Sequence, residues 1–195
     1  MHLKEIKFVL NVYFRKLLQW VFKFDKWHVA PLSQRKYCHK IITKLNAHTQ
    51  RKSVIDIGCG LGDILSKLNY ASKLGVDAEK NVIRAASFIS NIKFNYKNTS
   101  YVHGSFPNIT LNQKFDAVIM VNWIHNIKAE IVASWLTYLY ENYLNNNGVL
   151  VIDIVKNDKY RYNHQVEVLL ANITGSIVIT NPLEYGRRVV FVTKG

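Results

Sequence analysis

The chain has 195 residues, 49% of them hydrophobic, and 26 Lys and Arg against 13 Asp and Glu give it a formal charge of +13. That length suits one structural domain with one core, and its two cysteines, Cys38 and Cys59, lie outside any ligand or disulfide spacing; neither a structural zinc nor a disulfide framework is indicated, no metal is expected, and a reducing, cytoplasmic setting is. The charge invites acidic partners, but Lys, Asn, Ile and Tyr are abundant along the whole chain, so the basic total by itself does not mark a nucleic-acid face.

From the N-terminus, Leu3, Ile6, Leu10, Tyr13, Leu17, Trp20, Val21 and Phe24 recur at helical spacing, with Lys4, Lys7, Arg15, Lys16, Lys23 and Lys26 interspersed. Such a helix packs its apolar stripe on the domain or on a second subunit; its basic, aromatic character also fits peripheral contact of residues 1–26 with an anionic membrane. Trp27-His28-Val29-Ala30-Pro31 breaks this helix, and a second is expected from Leu32 to Asn46 with Tyr37, Ile41, Ile42 and Leu45 on its apolar face. Residues 1–46 therefore read as a helical extension packed on a domain of residues 47–195. Trp27 and His28 either line a pocket or plug the helix break.

Ser53 to Ile57 is rich in β-branched residues, Gly58 to Gly62 allow a sharp turn, and Ile64, Leu65 and Leu68 begin a helical spacing over 61–69. A dinucleotide fingerprint would need glycine where Asp63 stands, and a carboxylate there repels a pyrophosphate. A second apolar segment, Leu74-Gly75-Val76-Asp77, places Asp77 21 residues after Asp56. Strands are expected near 53–57, 73–76, 99–103, 115–121, 148–155, 173–180 and 187–193, with helices near 61–69, 79–90, 127–144 and 160–171. The alternation implies an α/β fold, a doubly wound, mostly parallel seven-stranded sheet with helices on both faces and N-terminal helices added. The short connection Asn181 to Gly186 forces the last two strands into an antiparallel hairpin.

The run Asp56-Ile57-Gly58-Cys59-Gly60-Leu61-Gly62 resembles the D-x-G-x-G-x-G signature of class I S-adenosylmethionine-dependent methyltransferases. The resemblance extends to Asp77, to His103-Gly104-Ser105-Phe106-Pro107 and to Phe115 through His125, which look like that family's later strand ends. It implies S-adenosyl-L-methionine as cofactor, with S-adenosyl-L-homocysteine as product. Asp56, Gly58, Cys59 and Gly60 would line the turn; Asp77 would accept both ribose hydroxyls; Ala78 and Phe106 would pack on adenine; Asn122 would sit near the amino-acid end. Ser105 stands where the family has an acid for the adenine amino group, and its hydroxyl accepts more weakly.

His125 is the expected general base, an imidazole titrating near neutrality, with His28, His103 and His164 behind it. Asn122-Trp123-Ile124-His125 matches neither the N/D-P-P-Y/F motif of amino-nitrogen methyltransferases nor a Pro-Cys nucleophile. The expectation is therefore O-methylation of a small-molecule or carbohydrate-containing acceptor, with an RNA methyltransferase or a cofactor-binding but inactive partner subunit as alternatives. A weaker similarity, on Phe24 to Val29 and Gly58 to Asp63, is to small methyltransferases of bacterial surface-polysaccharide biosynthesis.

Overall fold

A computed structural model describes residues 3–92 and 96–195; Met1, His2 and the side chains of Leu3, Lys4 and Lys7, part of the predicted N-terminal stripe, lie outside the described residues. Two helices lead in, α1 (Leu3–Phe22) and α2 (Lys36–Asn46). Then follow β1 (Ser53–Ile57), β2 (Ser72–Asp77), α3 (Lys80–Ile92), β3 (Thr99–His103), β4 (Phe115–Met120), α4 (Ala129–Asn142), β5 (Leu144–Ile154), α5 (Val166–Leu169), β6 (Ser176–Ile179) and β7 (Arg188–Thr193).

The sheet order is β3-β2-β1-β4-β5-β7-β6, with β1 to β5 parallel and β7 antiparallel to both neighbours, as the alternation and the short last connection predicted. Alternate residues of each central strand feed opposite layers. Val54, Ala117, Ile119 and Val151 pack against Tyr37, Ile41 and Leu45 of α2. Ile55, Val118, Leu150 and Ile152 pack against Val132, Leu136 and Leu139 of α4. Every residue of β4 is buried, as befits a central parallel strand covered on both faces. The chain leaves β1 toward β2 and β3, then returns to β4 on the other side, so the order reverses between β1 and β4, where open α/β sheets take ligands.

Four expectations are corrected. The predicted helix over 61–69 is a set of tight turns with one 3-10 turn, Leu65–Lys67, because Gly60 and Gly62 take φ of +54° and +74°, incompatible with a right-handed helix. Ile64, Leu65 and Leu68 are still buried, so their spacing reported burial rather than helix. The helix expected over 160–171 shrinks to α5, because the segment before it is tied to its surroundings: Tyr162 N–H donates to the His125 carbonyl at 3.0 Å, and His164 Nε2 lies 3.1 Å from the Ile124 carbonyl. The helix expected from Leu32 splits into a 3-10 turn at Leu32–Gln34 and α2.

The fourth correction concerns α1. It packs through Phe14, Leu18 and Phe22 against the side of α3 that carries Val82, Ala85 and Ile89. The predicted stripe lies outside that contact: Leu10, Tyr13, Leu17, Trp20 and Val21 are 54–77% exposed, and Phe24, beyond the helix, is buried.

Candidate functional site

The turn after β1 is held by β2: the Gly58 and Cys59 amides both donate to the Val76 carbonyl, at 2.8 and 3.0 Å. Gly58 has φ of +83°, and a Cβ there would stand 2.4 Å from the indole of Trp123, which itself donates Nε1–H to the Ile57 carbonyl at 2.7 Å. At Gly60 a Cβ would meet His28 Nδ1 at 2.9 Å. Close neighbours as well as backbone conformation thus require glycine at both positions. Asp77, ending β2, accepts the Gly60 amide on Oδ2 and the Glu79 amide on Oδ1, both at 2.9 Å. Each carboxylate oxygen keeps a second lone pair for a ligand hydroxyl.

These groups open onto a cavity of about 770 Å³, within the range of roughly 300–1,000 Å³ usual for cofactor sites. All nine residues expected to bind cofactor, Asp56, Gly58, Cys59, Gly60, Asp77, Ala78, Ser105, Phe106 and Asn122, line it, as do Trp27 and His28. The arrangement has three complementary parts. Asp77 suits a ribose diol, the side chains of Ala78 and Phe106 suit a planar base, and Asp56 suits an ammonium group. Burial first, and the neighbouring Asp77 second, push the Asp56 carboxyl up to about 7. Cys59 is driven well above the ordinary thiol range, again chiefly by burial, so it is a small neutral wall residue rather than a nucleophile.

Asp63, which also lines the cavity, is the anchor of the N-terminal segment. Its carboxylate is clamped by Arg15 of α1, with Nη1 to Oδ2 at 3.1 Å and Nη2 to Oδ1, and by Arg35 Nη2 just before α2. Burial alone would raise the Asp63 carboxyl, but Arg35 and then Arg15 outweigh it and hold it below the usual range. Arg15 Nη1 also reaches the carbonyls of His28 and Ala30 at 3.4 Å. Glu79 fixes the same strap from the other side, accepting the Asp25 amide at 3.0 Å and lying 3.1 Å from His28 Nε2. Asp25, Trp27 and His28 thereby become one wall of the cavity.

Beneath the β4 end lies a buried polar network. Asp153 of β5 accepts Arg187 Nη1–H on Oδ2 and the Asn122 amide on Oδ1 at 2.8 Å. Arg187 Nη2 donates to Asn122 Oδ1 at 3.1 Å and to the Tyr160 hydroxyl at 3.0 Å, and its guanidinium lies 4.5 Å from the Tyr37 ring centroid. Asn122, Tyr160 and Tyr37 all face the cavity.

His125 belongs to this network and corrects the expectation of a general base. It is 0% exposed and absent from the cavity wall; Nε2 faces Asp153 Oδ2 at 3.3 Å, and Nδ1 has no partner among the described residues. Burial, and then the charge of Arg187, push its pKa down to about 3, so the ring is neutral and out of reach of an acceptor. Sequence reasoning missed Arg187, Asp153, Tyr160 and the Arg15–Asp63–Arg35 clamp. Its one available signal was a lone carboxylate, Asp153, inside the apolar run of β5.

Residues 48–180 match the family described as a methyltransferase domain. A probable cobalt-precorrin-6B C(15)-methyltransferase (decarboxylating) of Saccharolobus solfataricus is 27% identical over 139 residues, covering 68% of this chain and 66% of that protein. A mitochondrial ubiquinone biosynthesis O-methyltransferase of Dictyostelium discoideum is 37% identical over 87 residues, covering 38% of this chain and 27% of that protein. The chain thus spans under two thirds of the length of either curated relative. In fold it is similar to the magnesium protoporphyrin IX methyltransferase of Synechocystis with bound S-adenosylmethionine, with a TM-score of 0.70 at 17% identity over 97% of each chain.

Proposed function

The chain belongs to the methyltransferase-domain family, and from that premise we propose that it uses S-adenosyl-L-methionine to methylate an oxygen of a small or carbohydrate-containing acceptor. The observation that carries the cofactor assignment is the meeting, in one cavity at the sheet's switch point, of Asp77 with the Gly58 to Gly60 turn and the Ala78 and Phe106 walls. The O-acceptor assignment is supported by Asn122-Trp123-Ile124-His125, which lacks the motifs of amino-nitrogen and pyrimidine-carbon chemistry, and by one curated relative being an O-methyltransferase.

When bound, the cofactor supplies an electrophilic methyl on a sulfonium. The chain's own contribution is placement, which supplies much of the barrier reduction in a two-reactant transfer. Asp77 would hold the ribose hydroxyls and Asp56 the ammonium. Arg187 and Asp153 hold Asn122 and Tyr160 at the acceptor end. His28 is the imidazole in the cavity wall, oriented by Glu79 through Nε2 with Nδ1 beside Gly60, and so replaces His125 as the group to take the acceptor's proton.

Calorimetric titration with S-adenosyl-L-homocysteine, on the full chain and on Asp77→Ala, tests the cofactor reading. Micromolar binding abolished by the substitution is expected. Absence of binding to the unsubstituted chain would remove the enzyme assignment.

A further inference from the structure

Because of its rotation on the domain, α1 carries an unpartnered apolar face. Leu10, Tyr13, Leu17, Trp20 and Val21 recur at spacings of three and four and fall on one side of the helix, beside the face of Phe14, Leu18 and Phe22 that is spent on the contact with α3. The exposures reach 67% at Tyr13 and 77% at Trp20, more than scattered surface apolar residues require. The rim of this face is basic. Lys16 lies one turn from both Tyr13 and Trp20; Lys16 and Lys23 line a shallow hollow with Trp20 where the helix ends; Lys26 is exposed just beyond. No helix among the described residues is long and apolar enough to cross a membrane, so α1 can lie on a bilayer but not span it.

We propose that α1 docks the protein on an anionic lipid surface, burying Leu10, Tyr13, Leu17, Trp20 and Val21 among the headgroups with Lys16 and Lys23 against their phosphates. Charge chooses this occupant over a second copy: Lys16, Lys23 and Lys26 rim the face, so two such faces brought together would repel, whereas an anionic surface attracts them. Tyr and Trp suit the headgroup level because each joins an apolar body to a polar tip. This goes beyond the methyltransferase reading and stands or falls separately from it, since no residue of the face lines the cavity.

Flotation of the full chain with vesicles of mixed phosphatidylglycerol and phosphatidylcholine, against phosphatidylcholine alone, provides the test. The chain is expected to float only with the anionic vesicles. Leu17→Glu/Trp20→Glu should lower partitioning by more than about tenfold, and Lys16→Gln/Lys23→Gln by about fivefold per lysine, each with a thermal unfolding midpoint close to that of the unsubstituted chain. Equal flotation of the Leu17→Glu/Trp20→Glu variant, or equal binding to neutral vesicles, would overturn the proposal. So would sedimentation showing a dimer of the unsubstituted chain that Leu17→Glu/Trp20→Glu dissociates, which would assign the face to a second copy.

Discussion

Replacing Asp56 by Asn should make the protein more stable and a poorer binder of its cofactor, with both effects depending on pH. Asp56 is 2% exposed, and its carboxyl makes no hydrogen bond to another side chain or amide among the described residues. Its folded-state pKa is raised from 3.8 to about 7. The folded chain therefore holds the proton more tightly than the unfolded chain, and stability falls as pH rises between those two values. At about 1.4 kcal/mol per pKa unit, the charged carboxylate costs about 4 kcal/mol once pH exceeds 7, and less than half of that at pH 5. The amide of Asn also resents burial, which reduces the expected gain at pH 8 to roughly 2–4 kcal/mol. Urea unfolding of both chains at pH 8 and pH 5 reads this out.

The second readout is calorimetric. An ammonium beside Asp56 favours the ionised carboxylate, so affinity of the unsubstituted chain for S-adenosyl-L-homocysteine should be level above pH 7 and fall toward tenfold per pH unit below it. Asp56→Asn should bind about 10- to 100-fold more weakly at pH 8, the loss of one charge-assisted hydrogen bond, and should lack that pH dependence. Equal destabilisation at both pH values, or unchanged affinity, would refute the reasoning, because either result would make Asp56 a structural carboxylate.

Asp63→Ala strands the guanidiniums of Arg15 and Arg35 and should cost about 3–5 kcal/mol; faster proteolysis within residues 23–35 should accompany it, and an unchanged cleavage rate would deny the clamp its role. Gly58→Ala forces a φ of +83° on alanine and drives its Cβ against the Trp123 indole, so both unfolding free energy and affinity for S-adenosyl-L-homocysteine should fall in one preparation. The two histidines should separate. His28→Ala should lower turnover by about 10²- to 10⁴-fold, while His125→Gln, which alters a ring outside the cavity, should leave turnover within about threefold by the same measure. Reversal of that order would restore His125 as the base.

What could be read from the sequence lies where local backbone geometry forces residue identity. The turn glycines and Asp77 sit at strand ends, where backbone approach and a double acceptor leave few choices, so local spacing sufficed to bring nine residues to one cavity. The polar network beneath it was illegible because its members are joined across the fold: Asp153 meets Arg187 34 residues later and Asn122 31 residues earlier. Nothing near Arg187 in the chain announces a buried cation. His125 looked catalytic for the same reason, since its neighbours in sequence place it at a strand end while its neighbours in space bury it.

The misreading of α1 has a single physical cause. Its apolar residues permit two adjoining faces, one through Leu10, Tyr13, Leu17 and Trp20 and one through Phe14, Leu18 and Phe22, and helical spacing alone accepts either. Arg15 decides between them. It lies on the second face, and at 6% exposure its charge is tolerable only against a carboxylate, which Asp63 provides. The residue that spoils a dinucleotide-binding turn thus sets the rotation of a helix 48 residues earlier in the chain. Once the pair forms, the face through Leu10, Tyr13, Leu17 and Trp20 is turned outward, so the clamp on the cavity wall and the exposed stripe are two consequences of one ion pair. Asp63→Ala should consequently alter vesicle binding as well as stability, whereas substitutions in the stripe should leave the clamp intact.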